Sequence, residues 1–312
     1  MKKVAAGMDI GGTNTVMGLV DEKGRVLARA GIPTRQFKTL KAYIGAVSGT
    51  IRELAGNKYT LIGTGIGAPN GNFFTGCIEF APNLPWKGKV PLAKRFSKAL
   101  RCPVILTNDA NAAALGEKLF GAAKKMNDFI FITLGTGLGS GIVVNGALVY
   151  GHDGMAGELG HVIVEKNGRP CGCGRRGCLE TYCSATGIVS TYVQLTGNCR
   201  NETAADSIDA RYVFERARAG EEQAIEAFRF TGEVLGLALA NSVTHTSPEA
   251  IFLFGGLTRA GRLLFGPVKQ NLENNLLKVY RGKIKLLPSR LPESDAAVLG
   301  AASLIWNEKN TL

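Results

Sequence analysis

The chain has 312 residues, 45% of them hydrophobic, with 37 Lys and Arg against 25 Asp and Glu. At about 150 residues per domain this predicts about two globular domains with full cores, and the apolar content excludes intrinsic disorder. The 41 glycines follow no three-residue period, which excludes a collagen-like chain.

In chain order, residues 4–10 read as a buried strand and Gly11-Gly12-Thr13-Asn14 as a turn. Residues 15–20 and 26–32 are further strands. Residues 40–54 carry apolar side chains at helical spacing. Strands follow at 61–68 and 104–107. Residues 129–134 form a strand, 135–139 a second Gly/Thr turn, and 140–144 and 147–150 two strands joined by the hairpin turn Asn145-Gly146. A strand, a Gly/Thr turn and two hairpin-linked strands thus occur twice, which predicts two related α/β halves facing each other across a cleft. No Pro/Ser-rich linker separates them, so the connection is expected near residues 110–120. Beyond Gly187 the chain reads as mostly helical, with 221–243 the longest helix. A strand at 250–254 runs into Gly255-Gly256, followed by a helix to about residue 277, a strand at 285–287 and a helix at 296–306. The expected domains are a small one at 1–115, onto which the final helix (296–312) packs back, and a larger one at 116–295.

Lys2 and Lys3 precede only a short apolar run that Asp9 interrupts, which is not a signal peptide. The uncharged run 129–151 contains six glycines and reads as strands and turns rather than a membrane span. A soluble, cytoplasmic protein without a membrane partner is expected. The net charge is +12, with bases in two stretches: Lys94, Arg95, Lys98 and Arg101, then Lys278, Arg281, Lys283 and Lys285. Without interleaved aromatics these read as solvated helix faces that also attract anionic substrates, not as a nucleic-acid surface.

In the first turn, Gly11 and Gly12 let the backbone approach a ligand and Thr13 adds a hydroxyl. Asp9, at the strand end, is placed to hold hydrated Mg²⁺ beside phosphates. Alone, the motif is equally an ordinary hairpin. The second turn, with Thr136 and Gly137, shifts the reading toward a nucleotide polyphosphate held by two turns, with Gly255-Gly256 as a flat surface for the nucleoside. There is no GxxxxGK[ST] motif. Residues 63–68 fit GxGxxA loosely but lead into Pro69-Asn70-Gly71 rather than a helix, so a dinucleotide site is not supported.

Of the seven cysteines, Cys171, Cys173 and Cys178 cluster, and His161 lies just ahead. Cys₃His is a complete tetrahedral zinc set, and a closed set is structural. Cys77, Cys102, Cys183 and Cys199 read as packing residues. Glu158 and Glu180 flank the cluster, so a metal there would fix two carboxylates and an imidazole in a group suited to polyol hydroxyls. Asp109, after the strand at 104–107, has two readings of equal weight. It either starts an Ala-rich helix behind the cap Asn108, or it is a carboxylate at a strand's C-terminal end that accepts a hydroxyl proton.

Asp9-Ile10-Gly11-Gly12-Thr13, Thr107-Asn108-Asp109-Ala110, the 135–139 turn, Glu158-x-Gly160-His161 and CxCGxxGCxE at 171–180 occur in the order seen in ROK-family sugar kinases, which the chain resembles from about residue 4 to 302. The resemblance implies a two-lobed, ribonuclease-H-like α/β fold of the actin/hexokinase type, with a structural Zn²⁺ site. It implies ATP- and Mg²⁺-dependent phosphorylation of a hexose 6-hydroxyl, in a homodimer or higher homo-oligomer. On this sequence it makes Asp109 the catalytic base. It makes Asn83, Asn108, Asp109, Glu158, His161 and Glu180 sugar contacts, with Asn83 in the loop Pro82-Asn83-Leu84. His161, Cys171, Cys173 and Cys178 become the zinc ligands. Asp9, Gly11, Gly12, Thr13, Thr136 and Gly137 become the Mg²⁺ and phosphate side, and Gly255 and Gly256 lie near the adenosine. Family repressors carry an extra DNA-binding domain ahead of the first turn, for which Asp9 leaves no room; a non-catalytic sugar sensor is the lesser alternative. Glu180-Thr181-Tyr182-Cys183-Ser184-Ala185-Thr186-Gly187 resembles the ExxxSATG run of glucose-specific members. N-acetylglucosamine or N-acetylmannosamine is the second choice of substrate.

Overall fold

Strand β1 (Lys2–Ile10) is buried on both faces, which is why it reads as an unbroken apolar run. Val4, Ala6, Met8 and Ile10 face helix α1 (Leu40–Ala55) through Tyr43, Ile44, Val47 and Ile51, while Gly7 meets the chain's final helix. The computed structural model describes residues 1–81, 83–197 and 208–311. Cys199, expected as a packing residue, and Pro82 lie outside the described residues.

The remaining elements of the first half are β2 (Asn14–Val20), β3 (Val26–Pro33), β4 (Tyr59–Gly67), the short strands β5 (Gly71–Asn72), β6 (Cys77–Glu79) and β7 (Lys89–Val90), α2 (Leu92–Leu100), β8 (Val104–Thr107) and α3 (Asp109–Leu119). The second half contains β9 (Phe129–Leu134), β10 (Leu138–Val144), β11 (Ala147–Leu148), α4 (Glu180–Cys183), α5 (Ala185–Thr196), α6 (Ala210–Arg218), α7 (Glu222–Thr246), β12 (Ala250–Phe254), α8 (Arg262–Asn275), β13 (Lys285–Pro288) and α9 (Ala296–Thr311). The first five-stranded sheet has the order β3-β2-β1-β4-β8, and the second β11-β10-β9-β12-β13. Counting only each sheet's own strands in chain order, both run third, second, first, fourth, fifth, so the repeated sequence pattern is a repeated topology. In the first sheet β1, β2 and β3 pair antiparallel, while β1-β4 and β4-β8 are parallel. In the second, β12 lies parallel to β9 and β13. Asn145 and Gly146 both have positive φ, as a two-residue hairpin requires.

The chain forms two units. One comprises residues 1–127, 141–157 and 289–312, and the other 128–140 and 158–288. In the first, α9 packs on β1 and β4 and against α3. The approach is so close that a Cβ on Gly65 would stand 1.8 Å from the Ala301 carbonyl oxygen, and one on Gly7 2.0 Å from that of Val298. In the second, α5, α6, α7 and α8 enclose a core built from Ile130, Ile132, Phe228, Leu235, Leu239 and Leu253, which also takes in Cys183.

Of three local expectations, two differ from the structure and one is met. Residues 110–120, expected to connect the halves, lie almost wholly in helix α3, because Asn108 caps an Ala-rich run that simply continues. The 94–101 bases do lie on a helix: α2 buries Leu92, Phe96 and Leu100 at i, i+4 and i+8 and leaves Lys94, Arg95 and Lys98 exposed. Lys278, Arg281 and Lys283 are exposed on turns after α8, not on a helix. Among the described residues, no helix is long and apolar enough to cross a membrane.

Gly65→Ala should cost about 3 kcal/mol in denaturant unfolding, because α9 must move off the sheet. Gly45→Ala, in α1 with nothing within 4 Å of its new methyl group, should be neutral or stabilise by up to about 1 kcal/mol. Equal effects at the two positions would contradict the packing described.

Candidate active site

In the first unit the site begins at the carboxyl ends of three parallel strands, where α/β sheets place their ligands. Asp9 of β1 is in register with Gly67 of β4, and Gly67 with Thr107 of β8. The place a Cβ would take on Gly67 is 3.4 Å from the Asp109 Cα and 3.8 Å from Asp9 Oδ1. Two aspartates separated by a hundred residues in sequence therefore meet over a residue with no side chain. Burial, and then the charge of Asp109, push the Asp9 carboxyl up to about 7. Burial also raises Asp109, opposed by the Ala110 N–H, which donates to Asp109 Oδ1 at 2.9 Å. The Asp109 side chain, crowded by its neighbours, still keeps an open face to solvent. Asn108 is the α3 cap, its Oδ1 accepting from the Ala110 N–H at 2.8 Å. Capping and a functional Asp109 are thus compatible in one segment.

The first turn is closed by the Gly11 N–H donating to the Asn14 carbonyl at 2.9 Å. Asn83 lies against it, its carbonyl oxygen 2.7 Å from the Cβ position of Gly12. Asn83 and Thr13 are exposed. Asp9, Gly11, Gly12, Thr13, Asn83, Asn108 and Asp109 therefore share one end of one sheet.

In the second unit, ligand atoms of His161, Cys171, Cys173 and Cys178 all lie within 4.8 Å of one another. His161 Nδ1 is 3.7 Å from Cys171 Sγ, and Cys173 Sγ is 3.7 Å from Cys178 Sγ. Four ligands around tetrahedral zinc at about 2.3 Å would have edges of about 3.8 Å. Tight turns preset this arrangement: the Cys171 N–H donates to the Arg175 carbonyl, the Gly174 N–H to the Cys171 carbonyl, and Arg175 Nη2 to the His161 carbonyl at 2.7 Å. The Arg175 backbone N–H draws the exposed Cys173 thiol down to about 6, while burial raises Cys171 and Cys178.

Glu180 joins this cluster to the second turn. Its Oε1 accepts from the Cys171 thiol at 3.0 Å and lies 3.7 Å from His161 Nδ1. Its Oε2 is 2.8 Å from the Cβ position of Gly137. Glu158 precedes the short turn Leu159–His161 and is exposed. That segment lies along the start of β10, with Leu159 N–H donating to Ser140 Oγ at 3.2 Å. Gly255, at φ 110°, has its Cβ position 2.5 Å from the Leu134 carbonyl oxygen. The Gly255-Gly256 surface and the 135–139 turn therefore leave adjacent parallel strands. Sequence reading missed Thr34 and Arg35, which brace the first turn, and Arg169, which ties α4 to α5. Only Ser184 and Thr186 carried a signal, as members of the SATG run.

Carboxylates over strand ends, two Gly/Thr turns and a Cys₃His cluster define an α/β protein equipped to handle anionic and polyol ligands. The chain belongs to the ROK family, whose model matches residues 5–308. It is similar to a glucokinase from Thermotoga maritima, at 36% identity over 312 residues covering 96% of each chain. Its fold is similar to that of a ROK family glucokinase from Streptomyces griseus in complex with glucose and AMPPNP, with a TM-score of 0.81 and 32% identity over 96% of this chain and 98% of that one. It is also similar to a ROK family transcriptional regulator, a homologue of the E. coli MLC protein, with a TM-score of 0.85 and 27% identity over 98% of this chain and 78% of that one.

The donor set generates a direct test. Purified protein should hold about one zinc per chain. Cys173→Ser should lower zinc content and melting temperature together, the latter by about 5 °C or more. A variant with full zinc and an unchanged melting temperature would exclude Cys173 as a ligand.

Proposed function

We propose that the protein is an ATP- and Mg²⁺-dependent hexose kinase that phosphorylates the 6-hydroxyl of glucose. The observation that carries this is the meeting of Asp9 and Asp109 over Gly67. One carboxylate is placed to hold a cation, and the other, exposed and raised, to accept a proton. The likeness to two glucokinases supports glucose, and the SATG run agrees. N-acetylhexosamine is the second substrate reading. The repeated sheet order supports the finer two-lobed, ribonuclease-H-like description. The family resemblance extends the proposal to a homodimer or higher homo-oligomer, and the sequence reading to the cytoplasm.

Phosphoryl transfer asks a protein mainly for positioning and charge neutralisation. The sugar 6-oxygen attacks the γ-phosphorus of ATP. The bond from that phosphorus to the β,γ-bridging oxygen breaks, ADP leaves, and the hydroxyl proton passes to the Asp109 carboxylate. Gly11, Gly12, Thr13, Thr136 and Gly137 receive the phosphates, and Gly255 and Gly256 lie by the adenosine. Asp9 would hold the hydrated Mg²⁺. A desolvated carboxylate pushed up to about 7 beside a second carboxylate fits a place that wants a cation. When bound, Mg²⁺ neutralises phosphate charge.

Asn83, Asn108, Glu158, His161 and Glu180 hold the sugar hydroxyls. With Asn108 Oδ1 spent on the cap, its Nδ2 is the group left to donate. His161 turns Nδ1 to the cysteines, which leaves Nε2 for the sugar. His161, Cys171, Cys173 and Cys178 fit zinc by type and spacing, and zinc there would be structural. Ligation requires Cys171 as thiolate. Glu180 then loses the thiol donor it now uses and is released to accept from a sugar hydroxyl.

A sugar-sensing regulator is the second reading, because fold alone does not choose and the structural likeness to a transcriptional regulator is close. Glucose-dependent ATP turnover by the wild type separates the two, and Asp109→Asn tests the proposed base. Glucose binding by calorimetry should stay within about threefold of wild type, while turnover falls about 10²–10⁴-fold. A near-normal kcat would remove Asp109 from the mechanism.

A further inference from the structure

Both Gly/Thr turns are braced in the same way, by residues no motif marks for that role. In the first, every carbonyl is occupied. Thr34 Oγ1 donates to the Gly11 carbonyl at 2.8 Å, Arg35 Nε to Gly12 at 3.0 Å, and Thr34 N–H to Thr13 at 2.8 Å. In the second, the Ala185 N–H donates to the Gly135 carbonyl at 2.8 Å, Thr186 Oγ1 to Thr136 at 2.9 Å, and Gly135 N–H to Gly137 at 3.0 Å. Meanwhile the N–H groups of Gly12 and Thr13, and of Thr136 and Gly137, donate to nothing among the described residues. Because N–H and C=O of one planar peptide point opposite ways, tying the carbonyls on one side presents the N–H groups on the other.

The hydroxyl inventory fixes the direction of each brace. Thr34 spends its one proton on Gly11, so Thr15 must donate to Thr34 across 2.9 Å, and Tyr43 must donate to Thr15 across 2.7 Å. All three side chains are buried. Thr186 likewise spends its proton on Thr136, so Ser184 must donate to Thr186 across 2.9 Å while accepting the Gly187 N–H. Each turn thus ends a one-way chain of hydroxyls.

The geometry points to Thr34 and Thr186 as matched positioning residues for phosphoryl-donor binding: each locks one turn so that its free N–H groups face the nucleotide phosphates. This rests on the ATP-kinase reading above. Without the hydroxyl the peptide planes can rotate, and donor affinity falls while the sugar contacts stay in place.

The test uses Thr34→Val and Thr186→Val, with Thr34→Ser and Thr186→Ser as rescues. A non-hydrolysable ATP analogue is titrated by calorimetry, and KM is measured for ATP and for glucose. Each Val variant should weaken the analogue and raise KM for ATP about tenfold, with KM for glucose within about twofold. Each Ser variant should return both nucleotide readouts to within about twofold of wild type. Tyr43→Phe, which removes only the head of the first chain, and Ser184→Ala, which removes the head of the second together with the α5 N-cap, should show the same selectivity at about two- to threefold and serve if a Val variant does not fold. Folded Val variants that bind the analogue like wild type would overturn the inference. So would equal losses of ATP and glucose affinity, which mark a purely structural role. A wild-type protein that binds no analogue would instead overturn the kinase reading and this inference with it.

Discussion

Unpaired backbone N–H groups held at strand ends are the constraint on which this site depends. A turn that must offer N–H groups to an anion cannot use them in its own fold, so something else must fix its peptide planes. Here the carbonyls do so, each bonded to a donor outside its own peptide. The parallel strands set where the turns lie, and the glycines let another chain segment approach them, as Asn83 does at Gly12. The same strand register that ends β1 at the first turn brings Asp9 over Gly67 to Asp109.

The Cys₃His cluster solves a different problem. The segment from Glu158 to Glu180 contains only a short helical turn and isolated bridges, too little backbone pairing to hold three polar side chains in fixed directions. Metal ligation of its four side chains, as proposed above, would supply that stiffness. Glu180 extends it, since one carboxylate oxygen faces Cys171 and the other faces Gly137. Arg169 adds a second brace. Its guanidinium donates to the carbonyls of Thr181 and Gly187 and to Thr191 Oγ1, and lies 4.6 Å over the Tyr182 ring. The helix carrying Glu180 is thereby tied to the helix whose start braces the second turn.

Much of this was legible in the sequence. The doubled strand-turn-hairpin pattern anticipated two related α/β halves, which do carry sheets of the same order, and Cys171-x-Cys173 with Cys178 and His161 anticipated a cluster that the chain does assemble. Such features are local, fixed by spacing and turn chemistry. What failed was equally physical. The Asn108 cap and following alanines were noted, yet a connection was expected where they drive one continuous helix. Bases alone did not tell a helix from a turn: those at 94–98 lie on α2, where Leu92, Phe96 and Leu100 keep helical spacing, while those at 278–283 lie on turns. The braces were illegible, because a threonine hydroxyl reaching a carbonyl 23 or 50 residues away leaves no local periodicity.

The central claim is sugar-dependent phosphoryl transfer, and the most direct measurement is ADP release by zinc-loaded protein with ATP and Mg²⁺. The panel is glucose, mannose, fructose, allose, N-acetylglucosamine and N-acetylmannosamine, with no sugar as the blank. The account predicts turnover dominated by glucose, one ADP for each glucose 6-phosphate formed, and little release in the blank. No release with any sugar, or equal release without one, would contradict it.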